Sequence, residues 1–218
     1  MENIKFETIS YRGLWSNVLS SLRIYILNGG LKPGDQLIES LIANQMQVSR
    51  GPVRDALKQL ENEGLVVNIP RKGTFVRKLN KEDFKQIYEL RAYLESLAVK
   101  LAIEKMGENP ELISSLKTIV KQMGEFTKED DIAQLADLDI QFHRTICESS
   151  RNQYLIEAWM RIQSLIRLCL ITDLNYKNYL ETEQDHNMII DAISGKDINL
   201  GEQRIRSHIA SSSTLMFC

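Results

Sequence analysis

The chain has 218 residues, with 27 Lys and Arg against 29 Asp and Glu, a net charge of −2, and 43% hydrophobic and 26% charged residues. That balance suits a folded globular protein rather than a disordered one, and no whole-chain excess of positive charge points to nucleic acid or an anionic membrane. There is no apolar run of about 18 residues and no apolar core after Met1 to make a secretory signal. Cys147, Cys169 and Cys218 are too scattered for a disulfide framework or a CxxC cluster, so a cytoplasmic setting without a membrane is expected.

The average charge hides a division. Residues 1–78 hold 11 basic and 7 acidic side chains, and residues 79–218 hold 16 and 22, so a module of +4 precedes one of −6. Three of the four prolines fall in the first module, and Arg77 to Lys81 is polar and charged, as linkers often are. Two domains are expected, 1–78 and 79–218.

In chain order, Trp15, Val18, Leu19, Leu22, Ile26 and Leu27 recur at helical spacing and predict an amphipathic helix over about 11–28, stopped by Asn28-Gly29-Gly30. Leu31-Lys-Pro-Gly-Asp reads as a turn. A short helix over Glu39 to Met46 follows. A third begins after Ser49, a plausible N-cap, with Pro52 early in it, Val53, Ala56, Leu57 and Leu60 as its buried stripe, and Gly64 at its end. Leu65 to Ile69 and Thr74 to Arg77 read as two strands round a Gly turn. Helices, tight turn, helix and hairpin describe a winged helix-turn-helix.

Arg50 and Arg54, four apart, leave one face of the third helix near its N-terminus. A recognition helix places that end in the major groove, where Arg meets guanine O6 and N7. Ser49 and the neighbouring backbone N–H groups favour phosphate. Arg71, Lys72 and Gly73 form the tip of the wing. The stretch from Leu31 to Val76 resembles the DNA-binding domain of the GntR family of bacterial transcription regulators. The matching marks are Pro33-Gly34, Leu37, Glu39, Val48-Ser49-Arg50, Pro52-Val53-Arg54, Ala56-Leu57, Leu60, Glu63-Gly64-Leu65 and Gly73 with Val76. The resemblance implies base and phosphate contacts at Arg50, Gly51, Arg54 and the wing around Lys72-Gly73. Gln47 and Gly51 depart from the family, which often has Gly and Thr there, and Ser40 stands where some members place an Arg.

The second module reads as six helices, about 81–106, 111–127, 130–149, 152–173, 176–194 and 197–215, whose short connections imply an antiparallel bundle. It contains all three histidines. Asp139 and His143 share a helix face, and His186 and His208 lie at similar levels of the last two helices. Taken alone, these are either unrelated core and surface residues or a ligand set. One carboxylate and three imidazoles would suit Zn²⁺, or Ni²⁺, Co²⁺, Mn²⁺ or Fe²⁺. Leu90-Arg91 with Leu94-Glu95, Asp139-x-x-Phe142-His143, His186 ahead of Ile189, Gly195-Lys-Asp197 and His208-Ile209 resemble the FCD domain of the FadR subgroup, over residues 80–212. The resemblance implies a metal held by Asp139, His143, His186 and His208.

A metal with coordination beyond four leaves room for a small carboxylate effector, also anchored by arginine. Arg91 leads, since it lies beside the stripe Ile87, Leu90, Leu94 and Ala98, although Glu95 one turn on is an equally good partner; Arg144 and Arg204 follow. The fold expected is therefore mainly α, a winged helix-turn-helix followed by a six-helix FCD-like bundle. The function expected is that of a repressor, a homodimer on a pseudo-palindromic double-stranded DNA operator, and not an enzyme. Two alternatives stand beside it: a metal sensor, and a metal-dependent hydrolase fused to a DNA reader.

Overall fold

The computed structural model of the protein describes residues 12–125, 132–172 and 179–215. The amino-terminal stretch, the breaker segments at 127–130 and 173–176, and Cys218 lie outside the described residues. The chain divides into two compact units at the bond after Lys78. No helix among the described residues is long and apolar enough to cross a membrane.

The first unit runs α1 (Arg12–Leu27), β1 (Gln36–Leu37), α2 (Glu39–Gln45), α3 (Arg50–Asn62), β2 (Val66–Ile69) and β3 (Gly73–Val76). Val18, Leu19, Leu22, Ile26 and Leu27 of α1 are buried, as are Val53, Ala56, Leu57 and Leu60 of α3, and the two helices pack together. The α3 stop is a Schellman motif: Gly64 at φ 74° lets Leu65 N–H reach Leu60 O at 2.9 Å and Gly64 N–H reach Glu61 O at 2.9 Å. In α2 the buried residues are Ile42 and Ala43, whereas Leu41 is exposed.

The sheet order is β1-β3-β2, all antiparallel, with Val66 opposite Val76 and Ile69 opposite Gly73. Strand β1 was not expected from sequence. It is two residues long and its partners Phe75 and Thr74 are far along the chain, so no local periodicity announces it.

The second unit is a helical bundle of α4 (Lys81–Glu104), α5 (Leu112–Gly124), α6 (Ile132–Ser149), α7 (Gln153–Thr172), α8 (Tyr179–Ser194) and α9 (Ile198–Leu215), with one 3₁₀ turn at Met106–Glu108. Helix α4 packs on α6, α7, α8 and α9, and α5 packs on α6 and α8. The polar linker starts α4 through a capping box. Asn80 Oδ1 accepts from Asp83 N–H and Asp83 Oδ2 accepts from Asn80 N–H, both at 2.9 Å. Cys147 and Cys169 are buried in the core.

Of the stripe expected on α4, Ile87 and Ala98 are buried and Leu94 packs against the core, but Leu90 is not part of it. Leu90, Tyr93 and Leu97 are exposed, while Tyr88, Arg91, Glu95, Ala98, Val99 and Ala102 face inward. A charged pair thus takes two interior positions, which low dielectric tolerates only where each charge is matched.

Candidate metal centre and nucleic-acid interface

Four of the inward-facing residues are Asp139 and His143 on α6, His186 on α8 and His208 on α9, each buried. Each offers one ligand atom, and those four atoms all lie within 4.8 Å of one another. Asp139 Oδ1 is 3.4 Å from His186 Nε2 and 3.7 Å from His143 Nε2. The rings of His143 and His208 stack at 5.2 Å, and those of His186 and His208 meet edge to face at 4.4 Å.

The donor set fits a divalent ion. Metal–ligand bonds of about 2.0–2.2 Å place tetrahedral neighbours roughly 3.4 Å apart and opposite octahedral ligands roughly 4.2 Å apart, so small side-chain movements would close these atoms on an ion. His143 Nε2 is buried without a hydrogen-bond partner, a costly state for a ring nitrogen unless something else takes its lone pair. Among the described residues no cysteine joins the set, whose carboxylate and imidazole donors suit a borderline metal.

Around these four lies an ordered outer layer. Arg91 Nε donates to Glu95 Oε1 at 2.9 Å and Arg91 Nη2 to Asp139 Oδ2 at 3.2 Å. Trp159 Nε1 of α7 also donates to Glu95 Oε1, at 2.8 Å, and Glu95 Oε2 lies 2.6 Å from His143 Nδ1. Burial alone would push the Glu95 carboxyl up, but the Arg91 guanidinium and His143 outweigh it and hold it at about 2. Burial likewise opposes the Asp139 charge, and His143 and Arg91 keep it well below the usual carboxylate range. His208 moves down to about 4 through burial and the neighbouring His186, while Asp185 Oδ2 stands 3.7 Å from its Nδ1.

The expected effector arginines separate. Arg91 is buried and committed to Glu95 and Asp139, so the partner reading of Glu95 accounts for its contacts. The structure does not bring Arg144 to the cluster: it is exposed and pairs with Glu148 at 2.7 Å, one turn along α6. Arg204 is exposed one turn before His208, and its charge acts on Asp185. Sequence reasoning missed Trp159, a single aromatic with no spacing to mark it, and Asp185, whose adjacency to His186 was the only available sign.

In the first unit, Ser49, Arg50, Gly51 and Arg54 are all exposed at the start of α3, on the side opposite its buried stripe. Ser49 occupies the N-cap position with extended backbone but makes no side-chain cap bond. One reason is that the third helical residue is Pro52, which has no N–H to offer. Arg54 Nη2 pairs with Glu39 Oε2 of α2 at 3.1 Å.

At the wing, Ile69-Pro70-Arg71-Lys72 forms a type II turn, with Lys72 N–H to Ile69 O at 2.9 Å and Arg71 at φ 65°. Arg71 and Lys72 are exposed at its tip. Gln36 Nε2 of β1 donates to Lys72 O at 2.8 Å and passes so close to Gly73, at φ 107°, that a Cβ there would lie 3.1 Å from it. Gln47, the departure from glycine before α3, takes φ 53° and is followed by Val48 N–H to Ala43 O at 3.0 Å, so the turn is made with a left-handed glutamine.

Comparison with known proteins places both units. Residues 14–76 match the family described as bacterial regulatory proteins, gntR family, and residues 86–211 match the FCD domain. The chain is 29% identical over 194 residues to an uncharacterized HTH-type transcriptional regulator, YdhC of Bacillus subtilis, covering 87% of this chain and 84% of that one. It is 27% identical over 191 residues to the gluconate operon transcriptional repressor of Bacillus licheniformis, covering 84% and 76%. The fold is similar to that of McbR/YncC of E. coli, with a TM-score of 0.76 and 22% identity over 96% of this chain and 98% of that chain.

Proposed function

Because this chain belongs to the GntR family of bacterial transcription regulators and carries an FCD domain, we propose that it is a metabolite-responsive repressor whose bundle holds a divalent transition metal through Asp139, His143, His186 and His208. Zn²⁺ is the first choice, with Ni²⁺, Co²⁺, Mn²⁺ and Fe²⁺ as alternatives that the same donors accept. The supporting observation is the convergence of four buried ligand atoms within 4.8 Å, one of them a histidine nitrogen with no hydrogen bond. Such a metal supplies a positive centre at which a small carboxylate effector can bind. The chain's own residues orient the donors and exclude bulk water, as every ligand side chain is buried.

On the DNA side, Arg50 and Arg54 read base edges from α3, while Ser49, Gly51, Arg71, Lys72 and Gly73 follow the backbone. A two-fold dimer sets two such heads on a pseudo-palindromic operator. Effector acts by favouring one of two states with different DNA affinity. A gel shift of full-length protein on its own upstream DNA tests this, first with chelator, then with added Zn²⁺, then with a panel of small carboxylates. A carboxylate that moves the shift only in the metal-loaded protein supports the proposal. A response to Zn²⁺ alone makes the ion the signal, and no response to either removes the effector reading.

A further inference from the structure

The outer layer of the cluster carries more than packing. Glu95 has two oxygens and three nitrogens around it, all on residues at most 1% exposed: Arg91 Nε and Trp159 Nε1 both donate to Oε1, and His143 Nδ1 lies 2.6 Å from Oε2. Arg91 spans from Glu95 to the far oxygen of Asp139, Oδ2, so the oxygen nearer the histidines is Oδ1. A carboxylate that accepts from one ring nitrogen puts that imidazole's proton there and leaves the other nitrogen with its lone pair. For His143 the nitrogen beside Glu95 is Nδ1, and the other, Nε2, faces the cluster 3.7 Å from Asp139 Oδ1.

We propose that Glu95 is a positioning residue of the metal centre: held by Arg91 and Trp159, it fixes the His143 proton on Nδ1 so that Nε2 presents its lone pair to the ion. This rests on the metal reading above. Outer carboxylates of this kind raise ligand basicity and lock ring orientation, and their loss weakens metal affinity about 10- to 100-fold.

Glu95→Gln tests the point with almost no change of shape. Its single amide oxygen must stay with the two donors Arg91 and Trp159, because turning the NH₂ group towards them would set donors against donors. The NH₂ group then faces His143 Nδ1 and drives the ring proton to Nε2, the wrong nitrogen for a metal.

The experiment uses full-length wild type, Glu95→Gln and Asp139→Ala, Zn²⁺ competition against a chromophoric chelator, and long-range ¹⁵N NMR of the imidazoles at alkaline pH. The expected result is a Zn²⁺ Kd weakened about 10- to 100-fold in Glu95→Gln, together with transfer of the His143 proton from Nδ1 to Nε2. Wild-type affinity, or weakening without that transfer, overturns the proposal. If Asp139→Ala loses Zn²⁺ while Glu95→Gln binds as wild type, this inference alone fails. If wild type takes up no Zn²⁺, the metal reading fails and this inference falls with it. Should Glu95→Gln not fold, Trp159→Phe removes one of the two donors that hold Glu95: a roughly tenfold weaker Kd at an unchanged melting temperature supports the proposal, and an unchanged Kd overturns it.

Discussion

Arg91 Nη2 donates to Asp139 Oδ2 at 3.2 Å, across 48 positions of sequence, with both side chains buried. Burial works against the guanidinium's charge, but Glu95 and Asp139 outweigh it and raise its pKa. One cation is thereby shared between two carboxylates in the interior of the bundle.

Arg91→Met is therefore expected to destabilise the metal-free protein by about 3–5 kcal/mol, the usual cost of leaving a buried charge without its partner. Urea unfolding in chelator measures it. Added Zn²⁺ should restore part of the loss, since an ion beside Asp139 replaces some of the missing positive charge. A change below about 1 kcal/mol, as for an exposed pair, contradicts the role given to Arg91.

The imidazoles make opposite pH demands on the metal-free protein. His208 is held neutral to about 4 by burial and by His186, whereas an unfolded chain protonates near 6.5. Its contribution to stability is full above about 6.5 and is lost as pH falls towards 4. For His143, burial lowers the pKa, but Glu95 and Asp139 prevail and raise it. Its contribution is full below about 6.5 and is lost as pH rises through the raised value. In chelator, His208→Asn should lose stability towards high pH and His143→Asn towards low pH. Thermal melts between about pH 5 and 9 decide, and equal slopes in the two variants would reject the assignment.

Gln47 sits at φ 53°, where an L side chain costs about 1–2 kcal/mol. Glycine removes that strain but loses about 0.5–1 kcal/mol in chain entropy. Gln47→Gly is expected to stabilise the first unit by up to about 1 kcal/mol, seen as a melting temperature higher by a few degrees. A lower melting temperature would mean that the glutamine side chain contributes a contact beyond its backbone role.

At the DNA interface the two classes of contact should separate. Arg50→Ala or Arg54→Ala should cost about 1–3 kcal/mol of operator affinity and relax base preference at one position. Lys72→Ala should weaken all sequences alike and reduce the salt slope of binding by about one. Because Arg54 is paired with Glu39 in the structure, Glu39→Gln should alter operator affinity while changing stability by less than about 1 kcal/mol. Binding titrations at several salt concentrations distinguish these outcomes, and a base-specific effect of Lys72→Ala would contradict its placement on the backbone.

Much of this protein follows from local pattern. Helical spacing from Val18 to Leu27 and from Val53 to Leu60, the glycine stop at Gly64 and the breakers between bundle segments lie in the chain itself, so helix positions and the winged motif were legible. So were Asp139 and His143 as a pair, because four residues is one helical turn. Tertiary structure decided the rest. Only packing of α4, α6, α8 and α9 brings His186 and His208 to that pair. Only the interior of the bundle explains why α4 turns Arg91 and Glu95 inward and Leu90 outward. Amphipathic spacing weighs water against oil and predicts the leucine inside. A buried charge is settled instead by partners distant in sequence, and those partners, Asp139, His143 and Trp159, meet Arg91 and Glu95 only once the helices are assembled.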